Sequence, residues 1–130
     1  MFRYTSAFAS FSVNDLDAAK QFYSKTLGLP VSLTPEGLSI DVGAGAKIFL
    51  YPKADHMPAS FTVLNFRVAD IDVAVDELRS QGVKFESFEG EIGTDDAGVF
   101  SGREQRKGPD IAWFKDPAGN FLSILRPPDR

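Results

Sequence analysis

Polar and apolar residues alternate at two places in the chain, and each alternation gives way to a helical stripe. Near the start, Ala7, Ala9, Phe11 and Val13 alternate with Phe8, Ser10 and Ser12; later, Leu64, Phe66 and Val68 alternate with Val63, Asn65 and Arg67. A period of two marks a strand. Asp15 and Asp70 follow as helix N-caps, with Asp17 and Asp72 in the first turn, near the positive helix end. Leu16, Ala19, Phe22, Tyr23 and Leu27 then recur at helical spacing, as do Ile71, Val75 and Leu78. Gly28 and Gly82 stand where a helix C-terminus takes a left-handed residue.

The two segments are copies of one pattern. FSVNDLDAAKQFY, from Phe11 to Tyr23, matches FRVADIDVAVDEL, from Phe66 to Leu78, at an offset of 55 residues. In the first copy, strands are expected at Val31 to Leu33, Leu38 to Val42 and Lys47 to Tyr51. The last two are joined by Gly43-Ala44-Gly45-Ala46. In the second copy they are expected at Val83 to Phe88, Ile111 to Lys115 and Phe121 to Leu125, with Asp116-Pro117-Ala118-Gly119-Asn120 as the turn. Each module reads β-α-β-β-β, the first over residues 1–56 and the second over 61–126. A module of ~55 residues is marginal alone, so the two are expected to share one core within a single domain, 1–130. The fold class is α+β. Ala44-Gly45 aligns with Ala118-Gly119 at an offset of 74, so about 19 residues are inserted in the second copy, between roughly Phe88 and Pro109. That stretch has no sustained periodicity. Loop 88–109 reads as a lid or binding segment, or else as disorder.

Composition narrows the classes. The 130 residues carry 14 Lys and Arg against 18 Asp and Glu, a net charge of −4. An acidic balance argues against nucleic acid, whose phosphates need a basic face. The absence of cysteine excludes disulfides, zinc–thiolate sites, iron–sulfur clusters and a cysteine nucleophile. No apolar run approaches the ~20 residues of a membrane span, and the N-terminus does not read as a signal peptide. A cytoplasmic protein without a membrane partner is expected. The chain has 12 phenylalanines, which suit both cores and ligand pockets.

The paired modules, the VxDLDxAxxFYxxxLGL-like run of Val13 to Leu29 and the WFKDPAGNFLSIL ending of Trp113 to Leu125 together resemble the vicinal oxygen chelate superfamily. That group includes glyoxalase I, extradiol dioxygenases, fosfomycin resistance enzymes and bleomycin-binding proteins. The resemblance covers nearly the whole chain and implies the glyoxalase-like fold, with a cup-shaped mixed sheet whose concave face binds metal and substrate. It also implies a homodimer. Enzyme members carry a His, Gln or Glu seven residues before each capping Asp, and a carboxylate in the last strand of each module. Those positions are here Phe8, Val63, Ser123 and Phe49, or Leu50 if the register slips by one. None is a ligand for the divalent ions such enzymes use, save Ser123 very weakly. The resemblance therefore comes with the expectation of no metal and no cofactor.

Other candidates give way to plainer readings. His56, the single histidine, reads as a solvated linker residue, and with no G-x-S-x-G motif nucleophilic catalysis is discounted. Gly43 to Lys47 lacks the spacing and following helix of a phosphate loop and reads as a hairpin turn. Glu89, Glu91, Asp95 and Asp96 read as a solvated acidic loop, with Arg103, Arg106 and Lys107 beside it. Strand parity supplies the more useful set. If Phe8 and Val63 face the cup, so do Ser10, Ser12, Asn65 and Arg67, joined by Lys47, Phe49 and Tyr51 and by Phe121, Ser123 and Leu125. Phe100, in the inserted segment, and Trp113 are expected to close over them. This is the make-up of a pocket for a small, mostly apolar molecule with an oxygen or anionic group. Arg67 is the anion clamp in this reading. The leading expectation is a metal-free, bleomycin-resistance-like binding protein for a small organic ligand. An enzyme of the same superfamily, a lyase, isomerase or dioxygenase-like protein, stays open. Its groups would be Arg67 as electrophile, Tyr51 as acid–base group and Glu91 as base. A non-catalytic interaction module, its cup filled by its own side chains or a partner, also stays open.

Overall fold

The computed structural model describes residues 1–128. The described backbone packs into two compact units that divide after Pro58. In the first unit the elements are β1 (Ala9–Val13), α1 (Leu16–Gln21), a π-helical turn (Phe22–Thr26), β2 (Val31–Thr34), β3 (Gly37–Gly43) and β4 (Ala46–Pro52). In the second they are β5 (Thr62–Arg67), α2 (Ile71–Ser80), a 3-10 turn (Gly90–Ile92), β6 (Val99–Ser101), β7 (Asp110–Lys115) and β8 (Phe121–Arg126). The sheets have the same strand order, β1-β4-β3-β2 and β5-β8-β7-β6. In each, the first strand runs parallel to the last and the other pairs are antiparallel. The mixed α+β class and the duplicated topology thus follow from the repeat.

The caps are where the sequence places them. Asp15 accepts a hydrogen bond from the Ala18 N–H at 3.1 Å, and Asp70 from the Val73 N–H at 3.2 Å. Gly28 and Gly82 have φ of +72° and +90°, the left-handed ends the chain needs to leave each helix. The first helix is shorter than its apolar stripe. Ser24 Oγ donates to the Lys20 carbonyl, and the Leu27 N–H reaches back five residues to Phe22. A hydroxyl that binds the preceding turn loosens the α-helical ladder, here into π geometry.

Each core lies between helix and sheet. In the first unit Val13, Ala19, Tyr23, Leu38, Ile40, Ile48 and Leu50 are buried; in the second, Ile71, Val75, Val99, Ala112, Phe114, Leu122 and Ile124 are. Two expectations need correction. The strand expected at Val83 to Phe88 is reduced to one bridge, Phe85 opposite Phe114. The rest of that edge is β6, Val99–Ser101, paired with β7 from Ala112 to Asp110. The inserted stretch is therefore not structureless, since it supplies an edge strand. It leaves the edge of β7 after Phe85 and Glu86, turns through residues 87–98, and returns to the same edge. Asp95 Oδ1 accepts from the N–H groups of Ala97 and Val99, Thr94 Oγ1 from the Phe88 N–H, and the Ala97 carbonyl from Arg79.

Candidate functional site

Residues opposite one another in a ladder share a face of the sheet. In the first unit the rows through Leu38 and Leu50 and through Ile40 and Ile48 carry the buried core side chains. The alternate rows form the other face. One row runs Ser32, Ser39, Phe49, Ser10 across β2, β3, β4 and β1, and Ser12 lies opposite Tyr51 beside it. Phe49, not Leu50, is the aromatic of this face; Leu50 is fully buried on the other. The rings of Phe49 and Tyr51 stack with centroids 6.5 Å apart and an interplanar angle of 18°. A depression of about 670 Å³ opens beside them, lined by Phe8, Phe49, Ser39, Lys47, Thr34 and Glu36 among others. Of the parity set in this unit, Phe8, Lys47 and Phe49 line it; Ser10, Ser12 and Tyr51 share the sheet face but stand outside the depression.

His56 is not a solvated linker residue. The Lys53–His56 turn, closed by the His56 N–H to the Lys53 carbonyl, carries the half-buried ring to β1, where Nδ1 lies 2.6 Å from Ser12 Oγ. The exposed Lys53 ammonium, 2.5 Å from Asp55, holds that carboxyl below its ordinary value.

In the second unit the matching face carries three rows. Asn65, Ser123 and Trp113 form the central one; Thr62, Phe121 and Lys115 lie on one side, and Arg67, Leu125, Ile111 and Phe100 on the other. Ser123 Oγ donates to Asn65 Oδ1 at 2.5 Å. Trp113 Nε1 donates to Thr62 Oγ1 at 3.2 Å, and the Phe88 ring meets the indole edge-on at 5.3 Å. The Lys115 ammonium sits 5.0 Å from the Phe121 ring centroid and 3.5 Å from the Glu86 carboxylate. Two parity assignments change. The register shifts between Thr62 and Leu64, so Thr62 takes the place opposite Phe121 and Val63 is the extra residue of a bulge. Phe100 is a buried strand residue of β6, opposite Ile111, not part of a closing loop. Trp113 is likewise a strand residue, in the middle of β7. Thr34, Glu36, Ser39 and Thr62 are residues that sequence reasoning missed, and His56 is one that it placed in solvent. Ser39 comes opposite Phe49 only because the register shifts between Asp41 and Gly43, which neither the turn residues nor the alternation announces.

The positions where the resemblance implies metal ligands hold Phe8, Phe49, Thr62 or Val63, and Ser123. Two aromatic rings and neutral hydroxyls do not fit a divalent ion, which needs several nitrogen or carboxylate donors in place of water. Among the described residues no three His, Asp or Glu side chains group so as to hold a metal. Glu91 lies exposed in the 3-10 turn, Tyr51 stacks on Phe49 and Arg67 is exposed in β5.

Two βαβββ modules, each with one helix-covered and one helix-free sheet face, define a glyoxalase-like fold. A sequence profile of the Glyoxalase/Bleomycin resistance protein/Dioxygenase superfamily matches residues 6–124, and the chain belongs to that superfamily. Solved structures of the same fold include the antibiotic binding protein TnmS3 from Streptomyces sp. CB03234, with 23% identity, TM-score 0.63 and coverage of 97% of this chain and 99% of that one. A glyoxalase family protein from Enterococcus faecalis has 21% identity, TM-score 0.65 and coverage of 97% and 100%. The genomically encoded fosfomycin resistance protein FosX from Listeria monocytogenes has 11% identity, TM-score 0.66 and coverage of 96% and 94%. No curated protein sequence matches the chain.

Proposed function

We propose that this chain binds a small, mostly apolar organic molecule on the helix-free sheet faces, and does so without a divalent metal. The observation that carries the reading is the pair Phe8 and Phe49. They occupy positions where the resemblance implies metal-ligating side chains, and both line the 670 Å³ depression. Rings there favour an apolar surface, while Ser39, Thr34, Lys47 and Glu36 supply the few polar contacts that orient a ligand. That the Streptomyces relative is an antibiotic binding protein supports the same class of activity. The resemblance also supports a homodimer, which sedimentation would reveal as twice the 14.2 kDa chain mass.

The test is a thermal-shift and native mass spectrometry screen of aromatic and polycyclic compounds of drug size. At least one chemical class should bind stoichiometrically and raise the melting temperature. Phe8 is 69% exposed, so Phe8→Ala should leave the unliganded stability unchanged yet weaken that ligand about tenfold or more. Chemical turnover of the bound compounds would favour an enzyme instead. Binding unaffected by Phe8→Ala and by Phe49→Ala would reject this site.

A further inference from the structure

Ser123 sits fully buried in β8, in the central row of the second unit. A buried hydroxyl must give its proton to an acceptor, and the Ser123 partner is Asn65 Oδ1 at 2.5 Å. That bond orients the carboxamide: Oδ1 turns toward Ser123, and Nδ2 turns away with two protons to donate. Asn65 itself is exposed, and its Nδ2 has no partner among the described residues. The indole N–H of Trp113 is already given to Thr62, and the Glu86 carboxylate is engaged by Lys115. Arg67 follows Asn65 on the same face, roughly 6.6 Å along the strand, and its side chain makes no hydrogen bond or ion pair among the described residues. The two side chains of this face left with no partner at all among the described residues, Asn65 at Nδ2 and Arg67, are donors, while Lys115 offsets the charge of the one carboxylate, Glu86; they stand beside the rings of Trp113 and Phe121.

We propose that this face selects for hydrogen-bond acceptors. Its ligand class is an aromatic carboxylate or carbonyl compound, and Ser123 is the positioning residue that locks Asn65 as a donor. The proposal rests on the small-molecule reading above and deepens it. A neutral amide gives the acceptor two charge-independent donors, and the Arg67 fork adds a charge-assisted one.

Two probes with one ring system and opposite polar groups test it: 2-naphthoate and 2-naphthylmethylammonium, titrated by calorimetry and followed by the Asn65 side-chain amide signals. The wild-type protein should bind naphthoate at least tenfold more tightly and shift those signals. Asn65→Asp preserves size and the Ser123 bond but removes the donors; it should erase or reverse the preference. Ser123→Ala frees the amide to turn over and should cut the preference at least threefold, and Ser123→Thr, which keeps the hydroxyl, should restore it. Equal binding of the two probes, failure of both to bind, or a preference that survives Asn65→Asp would overturn the proposal. A naphthoate effect confined to Phe8 and Phe49 would overturn it too, while leaving the small-molecule reading intact. If neither these probes nor the wider screen bind, the reading itself falls.

Discussion

Gly37 shows how little room the first sheet leaves. It opens β3 directly beside β4, and a Cβ built on it would lie 2.1 Å from the Leu50 carbonyl oxygen. The contact is with backbone, which cannot rotate away. Gly37→Ala should therefore destabilise by about 2 kcal/mol or more, measured by urea unfolding. Single residues also mark where sequence reading failed. Parity alone places Val63 on the open face, but a bulge consumes one residue and gives the place opposite Phe121 to Thr62. Alternation carries no record of such an insertion, because the bulge is set by how β5 must pair with β8. His56 was unreadable for another reason: its contact with Ser12 spans 44 residues and depends on the turn at Lys53.

The helices were legible because their signals are local. Asp15 and Asp70 cap as expected, each with one backbone N–H on its carboxylate. Asp70 starts the longer helix, Ile71–Ser80, and Asp70→Ala should cost about 1 kcal/mol of stability, while Asp70→Ser recovers most of it. The edge strand of the second module was less legible. Val83 to Phe88 has strand composition, yet the chain keeps only the Phe85–Phe114 bridge before leaving, and Val99–Ser101 takes over the edge. Three residues are too few to announce a strand by periodicity. The turn Asp116 to Asn120 was readable from its residue types. The structure adds that Asp116 and Asn120 are buried, with Asp116 Oδ1 receiving the N–H groups of Ala118 and Asn120.

The duplicated fold was legible at the scale of the whole chain, since two copies of one pattern predict one β-α-β-β-β succession used twice, and the two sheets found have one strand order. The superfamily's usual chemistry was legible only as a mismatch, with phenylalanine and serine where ligands are implied. That mismatch has a bulk consequence. An ion that binds only the folded chain raises its stability according to its concentration over its dissociation constant. Zinc, manganese or nickel at a concentration near 1 mM, about a hundredfold above a dissociation constant of 10 μM, would add about 2.7 kcal/mol if the site were real. Melting temperature should instead stay unchanged on adding these ions, and protein purified without chelator should carry no stoichiometric metal by elemental analysis. A cooperative rise in melting temperature with any one ion would contradict the proposed mode of binding.

The excursion between Ser87 and Gly98 has both feet planted on β7, one at the Phe85–Phe114 bridge and the other at Val99 opposite Ala112. A detour that begins and ends on the same strand leaves the pairing of that strand with β8 indifferent to its length. It is thus the natural splice point of the molecule, where a peptide epitope or a fluorescent label can be grafted, or the detour trimmed to a short hairpin, without resetting the register of the sheet.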